Sequence, residues 1–125
     1  MLANQGQAAG AVTVLSAVSA ANTAAATSGW IDIRQYEGDL VFLVNTGAIT
    51  GTNTITMEDA TDGSGTGAAA IVPNEGNPTA VSTANQIRKF TINASAPRGW
   101  VRFIGTIVTG PNLIAVTLFA TPKYT

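Results

Sequence analysis

Residues 40–44, Leu-Val-Phe-Leu-Val, constrain the fold of this chain more than any other stretch. They belong to a segment that begins at Trp30, which is followed by Ile-Asp-Ile-Arg. The alternation of apolar and charged residues in Ile-Asp-Ile-Arg is the period of a half-buried strand. A strand that is apolar at odd and even positions alike must be covered on both faces. The protein's own core covers one face, and the other needs a second sheet, the N-terminal segment or another copy of the protein. The pattern is typical of a small assembly module.

The chain carries few charges. Its 125 residues are the length of one domain, and charged residues make up 10% of them, against ~25% in typical soluble domains. The net charge of −1 gives no field that would attract nucleic acid or an anionic membrane, so we expect neither as a partner. So small a share of charged residues is unusual in a free monomer and suits a protein docked in a large assembly.

Two residue types are absent, since the chain has no cysteine and no histidine. Disulfides, thiolate nucleophiles, Ser-His-Asp triads and Cys- or His-ligated metals are therefore excluded, and we expect no enzyme, no cofactor and no metal site. No run of ~18 apolar residues predicts a membrane span. Residues 8–28 are apolar enough for a secretory signal, but no basic residue precedes them, so we expect no cleaved leader.

The rest of the chain consists of short alternating segments between Gly- and Pro-containing turns, without a helical period. We expect an all-β fold, an antiparallel β-sandwich, with a jelly roll as the favoured topology and an immunoglobulin-like sandwich as the alternative. Residues 1–20 are expected to form an extended N-terminal arm, in which residues 11–18 favour a first strand. Residues 21–125 are expected to form a single β-sandwich domain.

Two hairpins are predicted within the sandwich. The first joins residues 40–44 to residues 54–58 through a glycine-containing loop. The second joins residues 100–108 to residues 113–120 through a Gly-Pro-Asn turn, and its alternation is the clearest in the chain. Residues 87–92 carry two adjacent charges, which predicts a strand at the edge of a sheet.

The segment Glu-Asp-Ala-Thr-Asp-Gly, residues 58–63, contains the acidic residues that come nearest to a site. Asp59 and Asp62 offer oxygens that suit calcium, but the alternate acids and the closing glutamate of an EF-hand loop are missing. A solvated Asx-type turn is therefore the favoured interpretation. Glu58 and Asp59 are adjacent and point to opposite faces of a strand, which argues against a catalytic carboxylate pair.

Cations and aromatic residues supply the interface candidates. Four cations lie close to Trp100 in the sequence, namely Arg88, Lys89, Arg98 and Arg102. Contact with phosphates is one interpretation, but the near-neutral total favours ion pairs, across strands or subunits, with Asp32, Glu37 or Asp39. Large amphipathic side chains suit a core and an interface alike. The candidate interface residues are Trp30, Arg34, Tyr36, Arg98, Trp100 and Arg102.

From residue 30 onward the chain resembles the decoration (cement) proteins that bind the heads of tailed bacteriophages. The segments that carry the resemblance are IDIRQYEGDLVFLVNTGAITG, TITMEDATDGSG, WVRFIGTIVTG and LFATPK, and the matching region spans roughly three quarters of the chain. The resemblance implies a β-sandwich, often a jelly roll, that binds the outside of an assembled capsid as trimers or dimers. It includes no catalytic signature and leaves out the N-terminal arm.

We therefore expect a non-enzymatic virion structural protein on the capsid exterior. It would form homo-oligomers, with a homotrimer favoured over a dimer, and would bridge subunits of the major capsid protein. A tail or baseplate β-sandwich is one alternative. A carbohydrate-binding module is another, with Trp30 and Trp100 as its stacking platform. Coplanar, exposed indole rings would favour the carbohydrate-binding module, whereas an oligomer with buried aromatic residues would favour the virion protein.

Overall fold

The computed structural model describes residues 12–18 and 25–122. These residues form nine β-strands and no helix, so the expectation of an all-β fold is confirmed. None of them belongs to a helix that could cross a membrane. The strands are β1 (Val12–Val18), β2 (Ala25–Thr27), β3 (Ile31–Asp32), β4 (Tyr36–Ile49), β5 (Asn53–Ala60), β6 (Ala69–Ile71), β7 (Ile87–Asn93), β8 (Trp100–Ile107) and β9 (Asn112–Pro122).

The strands form two antiparallel sheets. Sheet A has the strand order β1-β9-β4-β7. Sheet B has the order β2-β8-β5-β6, and the short strand β3 pairs with β8 next to β2, along the same edge. Two sheets around a shared core give a β-sandwich-like arrangement, as the sequence predicts.

One hydrophobic core lies between the sheets. Sheet A contributes Leu40, Phe42 and Val44 of β4, and sheet B contributes Val101 and Phe103 of β8, all with 0% of their surface exposed. The residues that alternate with them are half-buried or exposed, as expected for strands with one face in a core. Burying one such large apolar side chain contributes ~1.5–3 kcal/mol, so these contacts hold the two sheets together.

Strand β4 shows how residues 40–44 are covered. Sheet B covers the inner face of the strand. Val41 and Leu43 point to the opposite face and are only half-buried, so the described residues leave part of this apolar face open. Within the described residues, residues 40–44 are therefore fully covered on their inner face and only partly covered on their outer face.

The two predicted hairpins are wrong, although their strands form close to the predicted positions. Strands β4 and β5 belong to different sheets, and so do β8 and β9. Strand β4 pairs with β7 and β9, and β8 pairs with β5. Alternation specifies which residues point inward but does not specify which sheet a strand joins. The turns that predicted hairpins instead carry the chain from one sheet to the other.

The N-terminal predictions are tested only in part. Residues 12–18 form strand β1, which pairs antiparallel with β9, and this confirms the strand predicted over residues 11–18. Residues 1–11 and 19–24 lie outside the described residues. The arm expected over residues 1–20 therefore stays a prediction for residues 1–11.

Strand β7 lies at the edge of sheet A, as its two charges predict. The loop before β7 caps this edge at Thr91, whose backbone N–H and hydroxyl donate to Glu75 at 2.7 and 2.8 Å. The Thr91 carbonyl accepts a hydrogen bond from the N–H of Asn74 at 2.8 Å. Burial alone would raise the pKa of Glu75, but the hydrogen bonds from Thr91 outweigh it and lower the pKa. A capped edge resists pairing with another chain.

Candidate functional site: a tryptophan–arginine cluster

Four of the six candidate interface residues gather at one surface, the outer face of sheet B where β3, β5 and β8 meet. We call these four residues the Trp–Arg cluster: Trp30, Arg34, Trp100 and Arg102. A fifth candidate, Arg98, lies beside the cluster and bonds Asp59 on the other side of β5.

Strand register brings the cluster together. Trp100 pairs with Asp32 of β3 on one side and with Ala60 of β5 on the other, while Arg102 pairs with Glu58 of β5. The residues that alternate with Trp100 and Arg102 on β8 are fully buried. Paired residues share a face of the sheet, so these side chains project outward together.

Each indole ring of the cluster lies beside an arginine. Cζ of Arg102 is 4.6 Å from the centroid of the Trp30 ring, and Cζ of Arg34 is 5.4 Å from the centroid of the Trp100 ring. Both distances fall within the ~6 Å over which the negative face of an indole attracts a cation. Both indoles are half-buried, so the stacks fix two large aromatic side chains at the surface.

The stacked arginines are also paired with carboxylates. Nε and Nη2 of Arg102 donate to Oε1 of Glu58 at 3.0 and 2.7 Å. Nε and Nη2 of Arg34 donate to Oδ1 and Oδ2 of Asp32 at 2.9 and 2.7 Å. The side-chain hydrogen bonds from Arg34 are the main reason why the pKa of Asp32 lies below its usual range. Each guanidinium is thus held between a ring and a carboxylate.

The loop over residues 61–68 is shaped by Asp62. Its Oδ1 accepts hydrogen bonds from the backbone N–H groups of Ser64 and Thr66 at 2.9 and 3.1 Å. Its Oδ2 accepts one from the Thr66 hydroxyl at 2.6 Å, which is the largest of the effects that lower the pKa of Asp62. The predicted Asx-type turn is therefore confirmed for Asp62. It is wrong for Asp59, which lies on β5 and is buried in an ion pair with Arg98.

The 61–68 loop packs against both indoles through glycines. A methyl group added at Gly63 would lie 3.0 Å from Cζ3 of Trp100, and one added at Gly65 would lie 2.8 Å from Nε1 of Trp30. Gly65 also has a φ of +85°, a backbone conformation that side chains disfavour. Only glycine lets the loop backbone come this close to the rings.

Arg98 ties the same loop to the sheet. Its Nη2 donates to Oδ1 of Asp59 at 2.9 Å and to the carbonyl oxygen of Gly67 at 2.6 Å. Its backbone N–H and Nε donate to the other carboxylate oxygen at 3.0 and 3.1 Å. Asp59 is only 8% exposed, and the side-chain hydrogen bonds from Arg98 are the main cause that lowers its pKa. A carboxylate buried in this way depends on its cation.

The acidic partners predicted for Arg98 and Arg102 are wrong. These arginines pair with Asp59 and Glu58, because β5 lies beside β8 in sheet B. Of the predicted acids, only Asp32 forms an ion pair within the described residues, and that pair is local. These partners could not be predicted, because the predicted hairpins placed β5 beside β4 rather than beside β8.

Tyr36, the sixth candidate, lies apart from the cluster. It is half-buried at the start of β4 and lines a shallow cavity of about 140 Å³. The other residues that line this cavity are Glu37, Gly38, Asn93, Ala94 and Ser95. The Asn93 carboxamide oxygen accepts hydrogen bonds from the N–H and the hydroxyl of Ser95 at 3.0 and 2.7 Å, so part of the cavity's polarity is already satisfied internally.

A scan against models of protein families and a search of curated proteins both find no match to the chain. The function must therefore be argued from the surfaces of the molecule.

The carboxylates around the cluster are engaged by arginine. Asp32, Glu58 and Asp59 each accept hydrogen bonds from a guanidinium. Glu58 and Asp59 bond arginines on opposite sides of β5, as adjacent strand positions predict. Among the described residues, no group of three acidic side chains is placed to hold a metal ion. The arrangement can present indoles to a partner without leaving a free charge to desolvate.

A stacking platform for sugar rings needs free indole faces. In the cluster each indole has a guanidinium over one face and contacts a glycine of the 61–68 loop. The rings are half-buried rather than open. This geometry suits packing against a protein surface better than stacking on a carbohydrate.

A second surface lies on the opposite side of the molecule, on the outer face of sheet A. Phe119 and Leu113 of β9 are 36% and 37% exposed there, and Ile87 of β7 is 71% exposed. Val41 and Leu43 of β4 lie between these strands and share the face. The signal for this surface was present in the sequence, since residues 40–44 are apolar on both faces of the strand.

Proposed function

We propose that this protein is a non-enzymatic capsid decoration protein that forms homo-oligomers and binds the major capsid protein on the exterior of a phage head. The observation that carries the proposal is the Trp–Arg cluster, in which four residues picked from the sequence as interface anchors meet on one surface. Prearranged aromatic and arginine side chains are the residues on which protein interfaces most often depend.

We also propose that the sandwich is a jelly roll, and the strand pairing supports this. If β2 and β3 count as one interrupted strand, the chain has eight strands. Pairing then joins the first to the last, the second to the seventh, the third to the sixth and the fourth to the fifth: β1 with β9, β2 and β3 with β8, β4 with β7, and β5 with β6. One long hairpin rolled into two antiparallel sheets is the jelly-roll pattern, and it fits the resemblance to decoration proteins.

The cluster suits docking because its side chains are already ordered. Trp30 and Trp100 are held by arginines and by the 61–68 loop, so they lose little conformational freedom when a partner covers them. The ion pairs need no new counter-charge from the partner. We therefore expect the docking surface of the capsid subunit to be largely apolar and hydrogen-bonding, and binding to depend only weakly on salt.

The repeated capsid lattice supplies the rest of the adhesion. A single contact of this size gives modest affinity, but a copy that bridges neighbouring capsid subunits gains the effective concentration of a multivalent ligand. The low charge of the chain, 10% of residues, is acceptable on a surface where copies are fixed in place rather than free in solution.

Co-sedimentation with phage heads assembled without this protein tests the proposal. Wild-type protein should sediment with the heads and saturate at a fixed number of copies. Trp100→Ala and Trp30→Ala should each weaken binding by roughly 10- to 30-fold, as expected for hot-spot residues. Val108→Ala is the matched control, because Val108 is exposed (71%) and follows the end of β8, six residues beyond Arg102, and it should bind like the wild type.

Far-UV circular dichroism on each variant separates loss of binding from loss of folding. Folded wild-type protein that ignores the heads at all concentrations would contradict the proposal. Binding to a glycan array that both tryptophan substitutions abolish would instead favour the carbohydrate-binding function.

A further inference from the structure

The outer face of sheet A has a regular arrangement of charged and apolar rows. Across β9, β4 and β7 the central row joins Phe119, Val41 and Thr91. The next row on one side of the central row contains Leu43 of β4 and its partner Lys89 of β7. The next row on the other side contains Asp39 of β4, which is exposed.

The charges on this face are therefore segregated along the strand direction. Asp39 lies toward one end with Glu37 beyond it, and Lys89 lies on the other side of the central row. Within the described residues, none of these three side chains forms an ion pair. Lys89 is close enough to Glu75, at the covered edge of β7, to favour the charged form of that carboxylate.

A two-fold axis through the central row brings the opposite charges together. The axis would lie between the two facing sheets, parallel to them and perpendicular to the strands. Rotation about this axis places the row on one side of the central row opposite the row on the other side in the second copy. Lys89 would then face the row of Asp39 in the other copy, and Asp39 would face Lys89, as isologous contacts require. Phe119 lies in the central row, so the two copies of Phe119 would meet at the axis.

We propose that the outer face of sheet A binds a second copy of this chain through a two-fold contact centred on Val41 and Phe119. The contact pairs Lys89 of each copy with Asp39 of the other, and it covers the apolar face that residues 40–44 leave open. The inference goes beyond the proposed function, because it names the surface that joins the copies and selects a dimer contact over a trimer contact. The outer faces of sheet B point away from each other in such a dimer, so one Trp–Arg cluster per dimer can face a shell.

The size of the surface sets the expected affinity. The rows from Asp39 to Asn45 on three described strands span ~23 Å by ~14 Å, well under the ~800 Å² per partner of a standard complex. We therefore expect a weak dimer with a dissociation constant in the micromolar range. Face-to-face packing of the sheets at ~10 Å separation would bury the exposed part of Phe119.

Sedimentation equilibrium of the full chain without capsid, over roughly 1–200 μM, tests this contact. Wild-type protein should be a monomer–dimer mixture. Lys89→Glu and Asp39→Lys should each raise the dissociation constant at least tenfold, because each places like charges face to face. The double variant carrying both substitutions should return to within about threefold of the wild type, since the exchanged charges again attract.

Apolar substitutions provide the second arm of the test. Phe119→Asp should abolish the dimer, whereas Val72→Asp, at an exposed position outside sheet A, should leave it unchanged. Emission from Trp30 and Trp100, which lie on sheet B or at its edge, reports that each variant is folded.

Several outcomes would overturn the inference. These are a wild-type protein that is monomeric throughout, a trimer, or a dimer that neither charge reversal weakens. A monomer that dimerises only after removal of residues 1–11 would show that the chain's own N-terminal segment covers the face. Head binding is scored separately, so a dimer with the expected pattern that ignores phage heads would keep this inference and remove the proposed function.

Discussion

The guanidinium of Arg102 lies over the ring of Trp30, 4.6 Å from the ring centroid. The same guanidinium donates two hydrogen bonds to Glu58 of β5. Arg102 of β8 therefore links Trp30, which precedes β3 on one side of β8, to Glu58 of β5 on the other side. Such side-chain contacts link the strands on the outer face of sheet B in addition to strand pairing.

Substitution of Arg102 tests this link. Arg102→Ala should lower the free energy of unfolding by about 1–2 kcal/mol, since it removes a charged hydrogen-bond pair and a cation–π contact. Arg102→Lys should recover less than half of the loss, because an ammonium lacks the planar fork that Glu58 and Trp30 both contact. Urea denaturation measures both values. Full rescue by lysine would show that charge alone matters at this position.

The close approach of the 61–68 loop to Trp30 makes Gly65 sensitive to any side chain. Gly65→Ala should destabilise the protein by about 1–3 kcal/mol, because the new methyl group meets the indole and the backbone has a positive φ. It should also shift the tryptophan emission. Gly29→Ala is the matched control: no atom lies within 4 Å of its added methyl group and its φ is not positive. If the two variants are equally stable, the loop does not pack on the ring.

Burial separates two ion pairs that are otherwise alike. Asp59→Asn should cost about 1–3 kcal/mol, because its carboxylate is 12% exposed and receives several hydrogen bonds from Arg98. Asp32→Asn should cost under about 1 kcal/mol, because that carboxylate is 38% exposed and solvent screens the pair. Thermal or urea unfolding ranks the two variants, and a reversed order would refute the burial argument.

Acid should destabilise the protein through the same carboxylates. The pKa values of Asp32, Asp59 and Asp62 are lowered in the folded state, so the unfolded chain binds protons first as the pH falls. Their stabilising contribution is complete above the ordinary aspartate pKa of ~3.9 and is lost as the pH drops below it.

Urea midpoints between pH 7 and pH 2.5 measure this dependence. The midpoint should hold at neutral pH and fall steeply below about pH 4. Asp59→Asn should fall less steeply than the wild type, because one of the responsible groups is gone. An equal fall in the two proteins would assign the acid sensitivity to other groups.

The inner faces of the strands could be predicted from the sequence because burial follows the two-residue period. Leu40, Phe42 and Val44 are completely buried, and so are Val101 and Phe103, as their alternation indicates. The edge position of β7 also followed from local chemistry, since its two adjacent charges suit a strand with one open side.

Sheet membership could not be predicted from the same pattern. A Gly-Pro-Asn turn between alternating segments is compatible with a hairpin and with a crossing between sheets, because both need only a tight reversal. Here the turn crosses between the sheets, since β8 pairs with β5 and β9 pairs with β4, strands that are distant in sequence. The ion-pair partners of Arg98 and Arg102 were missed for the same reason.

The residues of the candidate site could be predicted from their types, but the residues that hold them in place could not. Trp30, Trp100 and the arginines stand out because such side chains dominate interfaces. The role of Gly63 and Gly65 depends on a long-range contact with the indoles that no local pattern encodes. The same holds for Ser28, whose buried hydroxyl accepts a hydrogen bond from the N–H of Phe103 at 2.9 Å.

Cryo-electron microscopy of phage heads, with and without added protein, tests the central claim most directly. If the protein decorates capsids, added density should lie on the outer surface of the shell at regular lattice positions, with sheet B and the Trp–Arg cluster turned toward the major capsid protein. Heads that gain no density at saturating protein would rule out the proposed function. Density in which no copy turns sheet B toward the shell would contradict the assignment of the docking surface.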